Sequence, residues 1–274
     1  RFDETMGESN FLRNESVPGV FSEYTYNYLN KVSLVAGLRA DNHNQYGFFV
    51  TPRLHFRFSP NEKTAFRLVS GRGQRTPSVF AENIGAMASS RSYQIVNPQP
   101  NIPYGLNAEV AWNSGVSFSQ EWQLFNKPTI LNIELFHTRF VNQIVVDYDA
   151  NPQKVLFYNL NGKSYATSFQ SQVDVTFFPW LDVRLAYRFN DVKTTYQLDL
   201  LQRPFVSKHK AFANFAVETA SSGWKLDATI QNQFDVNDYI SLLSMLSLAC
   251  GLTFQLPMVA FVLSQVGILT PSFM

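Results

Sequence analysis

The sequence predicts an all-β fold: an antiparallel transmembrane β-barrel fragment of about ten long strands, incomplete, with a C-terminal apolar α-helix of transmembrane type. Three observations predict it. Polar and apolar residues alternate through most of the chain, connections between these stretches alternate between short and long, and charge disappears after Asp238.

The alternation places strands at roughly 17–29, 31–42, 47–59, 63–73, 109–121, 129–147, 163–178, 181–194, 207–219 and 224–231. In "KVSLVAGLRAD", Val32, Leu34, Ala36, Leu38 and Ala40 share one face, while Ser33, Gly37, Arg39 and Asp41 share the other. In "LDVRLAYRFND", Leu181, Val183, Leu185, Tyr187 and Phe189 oppose Asp182, Arg184, Arg188 and Asn190. These stretches are about 11–19 residues long, against five or six for an ordinary globular strand. A tilted strand needs about nine to eleven residues to cross a bilayer, so the length argues for a barrel wall. Arg39, Arg184 and Arg188 are expected to face the lumen, with the apolar alternates toward lipid.

Short connections fall at Leu29-Asn30-Lys31, Ser59-Pro60-Asn61-Glu62, Phe178-Pro179-Trp180 and Ala220-Ser221-Ser222-Gly223. Long ones fall at roughly 74–108, 148–162 and 195–206, and 42–46 is short where a long loop is expected. Short turns on one side and long loops on the other mark an outer-membrane barrel, with the long loops outside the cell. Rings gather near strand ends: Tyr24, Tyr26, Tyr28, Phe56, Phe58, Trp122, Phe125, Phe177, Phe178, Trp180 and Trp224. Singly each fits ordinary packing. Repeated beside short turns, they fit an interfacial girdle.

Composition agrees. Among 274 residues only 16% are charged while 15% are aromatic, with 25 Phe and 12 Tyr. The net charge of +1 offers no basic field for nucleic acid. Cys250 stands alone, which excludes a disulfide within the chain and suits a small apolar residue in the tail. No secretory leader is visible at Arg1.

Near Ile230–Phe234 the period of two ends. Tyr239 to Met274 carries no charged residue, and a charge-free stretch beyond about 18 residues reads as a transmembrane helix. Pro257 would kink it, and Gly267 and Thr270-Pro271 mark its end. A buried helix of a soluble domain, or the last barrel strands, are the alternatives. The chain therefore divides into 1–230 and 231–274.

Catalytic and metal motifs are few. His43, His55, His137 and His209 have no local metal spacing, and no cofactor is expected. "GRGQRT" lacks the Gly-Lys-Ser/Thr ending of a phosphate loop, and no Gly-x-Ser-x-Gly elbow occurs. Asp147 and Asp149 in "VVDYDANP" would serve a loop cation or stand as solvated carboxylates. Arg75, Glu82 and Arg91 begin or lie in the longest loop and are the candidate ligand-binding residues, the alternative being solvated loop charges.

Residues of about 15–230 resemble the C-terminal barrel portion of TonB-dependent outer-membrane receptors of the Bacteroidetes type. The matching stretches are "VPGVFSEYTYN", "KVSLVAGLRADNHNQYGFFVTPRLHFRFSPNEKTAFRLVSGRGQRTPSVFAEN", "AEVAWNSGVSFSQE" and "FQSQVDVTFFPWLDVRLAYRFNDVKTTY". The most specific is "TPRLHFRFSPNEKTAFRLVSGRGQRTP", which gives strand, turn, strand and the start of a long outer loop. The resemblance implies a plugged barrel of about 22 strands. It implies import, not enzymatic catalysis: uptake of a siderophore, vitamin, glycan or peptide in the outer membrane. Its partners would be lipid, the nutrient ligand and, through a plug that this stretch does not contain, the TonB complex. No nucleic-acid partner is implied. About half the strands and the closing strand are expected to be missing.

Residues of about 229–274 are similar to an internal part of TatC, the multi-helix subunit of the twin-arginine translocase, through Gly-x-x-Phe-x-x-Pro and "GILTP". Gln255 stands where many members carry an intramembrane Glu. This resemblance implies an inner-membrane piece, and hence a rival function in protein export. An outer-membrane barrel must cross the inner membrane unfolded, where a long apolar helix would stop. A fusion of unrelated fragments near Ile230 is the resulting expectation. An outer-membrane hydrolase barrel and a soluble β-domain are further rivals.

Overall fold

The computed structural model describes residues 2–6, 9–85, 89–218 and 225–234. In chain order the strands are β1 (Phe2–Met6), β2 (Ser9–Arg13), β3 (Gly19–Tyr28), β4 (Val32–His43), β5 (Gly47–Asn61), β6 (Thr64–Arg75), β7 (Ser92–Ile95) and β8 (Glu109–Leu124). They continue as β9 (Lys127–Asn142), β10 (Ile144–Asp147), β11 (Lys154–Asn159), β12 (Ser164–Phe178), β13 (Leu181–Tyr196), β14 (Asp199–Gln202), β15 (His209–Glu218) and β16 (Lys225–Phe234). A one-turn helix, α1 (Val79–Glu82), lies between β6 and β7.

Ten strands form the wall, an antiparallel meander ordered β16-β15-β13-β12-β9-β8-β6-β5-β4-β3, with β14 folded back on β13. These are the ten strands that the alternation predicts. The two ends, β3 and β16, do not pair with each other among the described residues, so the sheet is open. The β16 ladder continues to Phe234, opposite His209, so the boundary expected near Ile230 falls inside a paired strand.

Register explains why alternation decided the fold. Leu68, Val116, Leu135, Phe169 and Phe189 stand in one row across β6, β8, β9, β12 and β13. The next row holds Arg67, Ser117, Glu134, Gln170, Arg188 and Lys210. The two rows point to opposite faces, and a slip of one residue would exchange them. Val116, Leu135 and Leu185 are 48%, 45% and 51% exposed, so the apolar face meets no protein core. Such a face marks a surface that meets a membrane or a protein partner.

The short connections gather at one end. Phe125-Asn126 closes β8 on β9 with positive φ at both residues (51° and 59°), as a type I′ turn requires. Leu29 and Asn30 repeat this geometry between β3 and β4. Near these turns Phe178 stacks on Trp180, with ring centroids 5.1 Å apart, and Lys127 Nζ sits 5.3 Å from the Phe178 ring.

The opposite end differs from the sequence-based expectation. The long connections hold secondary structure, and part of the predicted strand 129–147 leaves the wall. Gln143 separates β9 from β10, and β10 joins β11 and β7 in a small three-stranded sheet, with β7 parallel to β11. The break has a local cause. A bulge at Val110/Ala111 ends regular pairing with β9, and Asn142 Nδ2 donates to Ala108 O at 2.8 Å. The hydrophobic core belongs to this loop sheet: Val79, Phe80, Tyr104, Leu106, Val155 and Phe157 are buried together. The hairpin β1–β2 was also not expected from the sequence.

No helix among the described residues is long and apolar enough to cross a membrane. Residues 231–234 end β16, and the apolar helix predicted from the charge-free stretch Tyr239–Met274 lies outside the described residues.

Candidate ligand cleft between the wall and the outer loops

The cleft opens along β3 to β6 toward their outer ends. It has a volume of about 780 Å³, and its lining includes Arg39, Arg53, Arg72 and Arg75 together with Glu15 and Asp41. Most of these arginines are engaged. Arg39 Nε donates to Asp41 Oδ2 at 2.7 Å, two residues along the same face of β4. Arg53 on β5 reaches across β4 to Glu23 on β3. Gly37 is the residue crossed: a Cβ there would lie 2.7 Å from Arg53 Nε. Arg72 donates to Val50 O at 2.9 Å and makes no ion pair among the described residues.

Arg75, at the outer end of β6, opposes Glu109 on β8 and bonds to it through both Nε and Nη2. The same guanidinium lies 3.0 Å from Glu82 of α1. Glu109 also accepts the Ile144 amide at 3.0 Å, so this cluster ties β6, β8, β10 and α1 together. Beside it lies a second cleft of about 720 Å³, lined by Arg75, Glu82, Glu109 and Arg203 among others.

Of the sequence-derived candidates, the structure thus brings Arg75 and Glu82 together and gives them Glu109 as a third member. Arg91 lies elsewhere, its Nη1 donating to Tyr148 O at 2.8 Å. Glu109 has no local sequence signal, because only the β6–β8 register places it opposite Arg75. Asp147 is spent on structure. Its Oδ1 accepts the amides of Asp149 (3.0 Å) and Ala150 (2.9 Å), and its Oδ2 accepts the Tyr158 hydroxyl at 3.0 Å. Tyr158 accepts the Gln197 amide at 3.1 Å, linking the loop sheet to the β13–β14 hairpin. Burial is the main cause pushing the Tyr158 hydroxyl up to about 12; the Gln197 amide opposes this and the Asp147 carboxylate adds to it.

Three histidines are held by neighbours. His43 Nδ1 accepts the Gln45 amide at 3.1 Å, His137 Nδ1 is 2.8 Å from Thr167 Oγ1, and His209 Nδ1 is 2.8 Å from the Tyr187 hydroxyl. No group of three His, Cys, Asp or Glu residues able to hold a metal occurs among the described residues. The "GRGQRT" segment is extended strand as far as Arg75, not a phosphate loop. Register places Arg184 opposite Asp174, with which it pairs, and Arg188 opposite Gln170, to which it donates. Arg39, Arg184 and Arg188 share the polar face, as the alternation predicts.

A wall of long antiparallel strands with one apolar exposed face, tight turns at one end and folded loops over a charged cleft at the other defines a membrane β-barrel segment. Comparison narrows the class. Residues 5–242 match the family described as TonB dependent receptor-like, beta-barrel, and the chain belongs to that family. TonB-dependent receptors are transporters, not enzymes. No curated protein matches the sequence. Among solved structures it is similar to the siderophore receptor PirA from Pseudomonas aeruginosa, with 15% identity, a TM-score of 0.53, and coverage of 82% of this chain and 38% of that one. The PirA receptor from Acinetobacter baumannii gives 11% identity, a TM-score of 0.58, and coverage of 83% and 34%. The FrpB iron transporter from Neisseria meningitidis gives 15% identity, a TM-score of 0.58, and coverage of 81% and 33%. The chain therefore spans about a third of the length of these proteins. At such identities the likeness is one of fold.

Proposed function

We propose that this chain forms part of the wall and outer vestibule of an outer-membrane receptor that takes up a small anionic ligand, a ferric siderophore being the best fit. The observation that carries this reading is the cleft at the loop end, where Arg72, alone of the four lining arginines, makes no ion pair among the described residues. A guanidinium held only by a backbone carbonyl keeps donors for a ligand with negative charge and oxygen acceptors. The siderophore and iron receptors that share the fold support the same ligand class. Arg72, Arg75 and Glu82 are the residues proposed to meet or shape the ligand site, while Arg91, which lies elsewhere, holds the loop through Tyr148 O. Ligand transport by the complete receptor would engage TonB through a plug.

Titration of the purified chain with a ferric tris-catecholate, followed by tryptophan fluorescence, tests this. Binding of the anionic chelate, about tenfold weaker in Arg72→Gln, is expected, since a hydrogen bond to a charged group is worth about 1.5–3 kcal/mol. Equal binding of a neutral ferric chelate, or no loss in Arg72→Gln, would remove the anionic reading. Fractionation tests the location separately: the tagged chain is expected with the outer membrane and with heat-modifiable mobility. The division between 1–230 and 231–274 is a further part of the proposal and rests on residue rhythm alone. A single long DNA read across codons 225–245 tests it, and an uninterrupted receptor frame there would refute a fusion.

A further inference from the structure

The apolar face of the wall has a built outer rim. Trp112 and Trp122 lie on that face of β8, ten residues apart. That is about 34 Å along the strand, or about 26 Å along the bilayer normal at a tilt of about 40°. The apolar band of an outer-membrane barrel is about 25 Å tall, so these two residues mark its limits. In the row of Trp112 the register places Arg139, Tyr165 and Lys193 on β9, β12 and β13. Cations and rings alternate there, immediately above the rows that meet lipid.

A groove of about 470 Å³ opens at this rim, and its lining includes His137, Arg139, Val141, Lys163 and Tyr165. No acidic residue lines it. Arg139 and Lys163 are exposed, and neither makes an ion pair among the described residues. The nearby carboxylate, Asp191, is occupied: it accepts the Tyr165 hydroxyl at 3.0 Å and lies 3.8 Å from Lys193 Nζ. The groove is also rigidly framed. Thr195 Oγ1 accepts the Lys163 amide and donates to the Lys163 carbonyl, both at 2.9 Å. His137 is held by Thr167.

We propose that this groove binds the phosphate-bearing headgroup of a lipid in the outer leaflet. Arg139 and Lys163 hold the phosphate, and Tyr165 and Trp112 sit at the headgroup level as interfacial rings. Continuity selects a lipid over a soluble anion. The groove shares its face with the lipid-facing rows, and Val141 at its edge is 59% exposed. Two unpaired cations at a bilayer rim would otherwise be stabilised by water alone, and each gains about 1 kcal/mol beside an anionic surface. This inference rests on the reading that the wall spans the outer membrane.

The test reconstitutes the full chain in nanodiscs of phosphatidylcholine doped with phosphatidic acid, and measures co-purifying lipid by native mass spectrometry after release into detergent. Selective retention of phosphatidic acid is expected, falling about fivefold in each of Arg139→Gln and Lys163→Gln, the ratio equivalent to 1 kcal/mol per cation. Excess inorganic phosphate is expected to leave retention unchanged. Displacement by inorganic phosphate would assign the groove to a free anion and overturn the lipid proposal. Protein that inserts, shown by heat-modifiable mobility, but retains both lipids equally would overturn it while leaving the receptor reading intact. Failure of the wild-type chain to insert would overturn both.

Discussion

Two glycines show how differently one residue type is used in this wall. Gly162 has φ +139°, a region open only to glycine, and a Cβ there would sit 2.6 Å from Thr195 Oγ1. That oxygen is the one that clasps Lys163. Gly162→Ala is therefore expected to destabilise by about 2–3 kcal/mol, combining backbone strain with the lost clasp. Gly73 has ordinary φ, and nothing lies within 4 Å of the position a methyl group would take there, so Gly73→Ala is expected to be neutral or stabilising by up to about 1 kcal/mol. Urea midpoints of the folded chain in detergent compare the two. Neither outcome was legible in the sequence, where Gly73 sits in the conspicuous "GRGQRT" and Gly162 in an unremarked loop. A strained φ and a neighbour on the adjacent strand, distant in the chain, leave no local pattern.

At the scale of elements, the loop sheet carries its own packed core, while the wall displays its apolar side chains outward. Phe157 is fully buried and sits 6.4 Å, centroid to centroid, from Phe80 in an edge-on arrangement. Phe157→Ala should cost the loop sheet about 3–5 kcal/mol and leave the wall intact. The expected observation is faster proteolysis within 76–108 and 148–162 with unchanged far-ultraviolet circular dichroism of the strands. Wholesale unfolding would show instead that the wall leans on the loops. Alkaline pH is expected to act on the same unit. The Tyr158 proton is held more tightly in the folded state, with a value of about 12 against an unfolded value of about 10. Its stabilising contribution is complete below pH of about 10 and is lost as pH rises through about 12. Loop proteolysis should therefore accelerate in that window, with a smaller step in Tyr158→Phe. Tyr93 and Tyr196, also raised chiefly by burial, keep part of the step. The alternation in "KVLFYN" was present in the sequence, with Val155 and Phe157 inward, but it is only six residues long and lies between turn residues. Its partner β7 is distant in the chain and parallel, so neither strand announces the other.

At the scale of the molecule, the long strands were legible because a period of two repeated over ten or more residues admits one sheet register and two defined faces. The cleft was legible only in part. Arg75 and Glu82 stood out as charges at the start of a long loop, whereas Glu109, Arg53 and the crossing at Gly37 follow from strand register, which local sequence does not state. The face assignment also generates a direct test. Leu135 lies on the apolar face, in the row of Val116, between the levels of Trp112 and Trp122. Its arginine substitute would face hydrocarbon near the bilayer centre, at a cost of about 2–4 kcal/mol. Ser168, opposite Phe136, lies at nearly the same height on the polar face, where arginine remains hydrated. Leu135→Arg should therefore weaken equilibrium refolding into phosphatidylcholine vesicles by that amount, while Ser168→Arg leaves it within about 0.5 kcal/mol. Equal losses would mean that both faces meet the same solvent, and the membrane wall would give way to a water-exposed sheet.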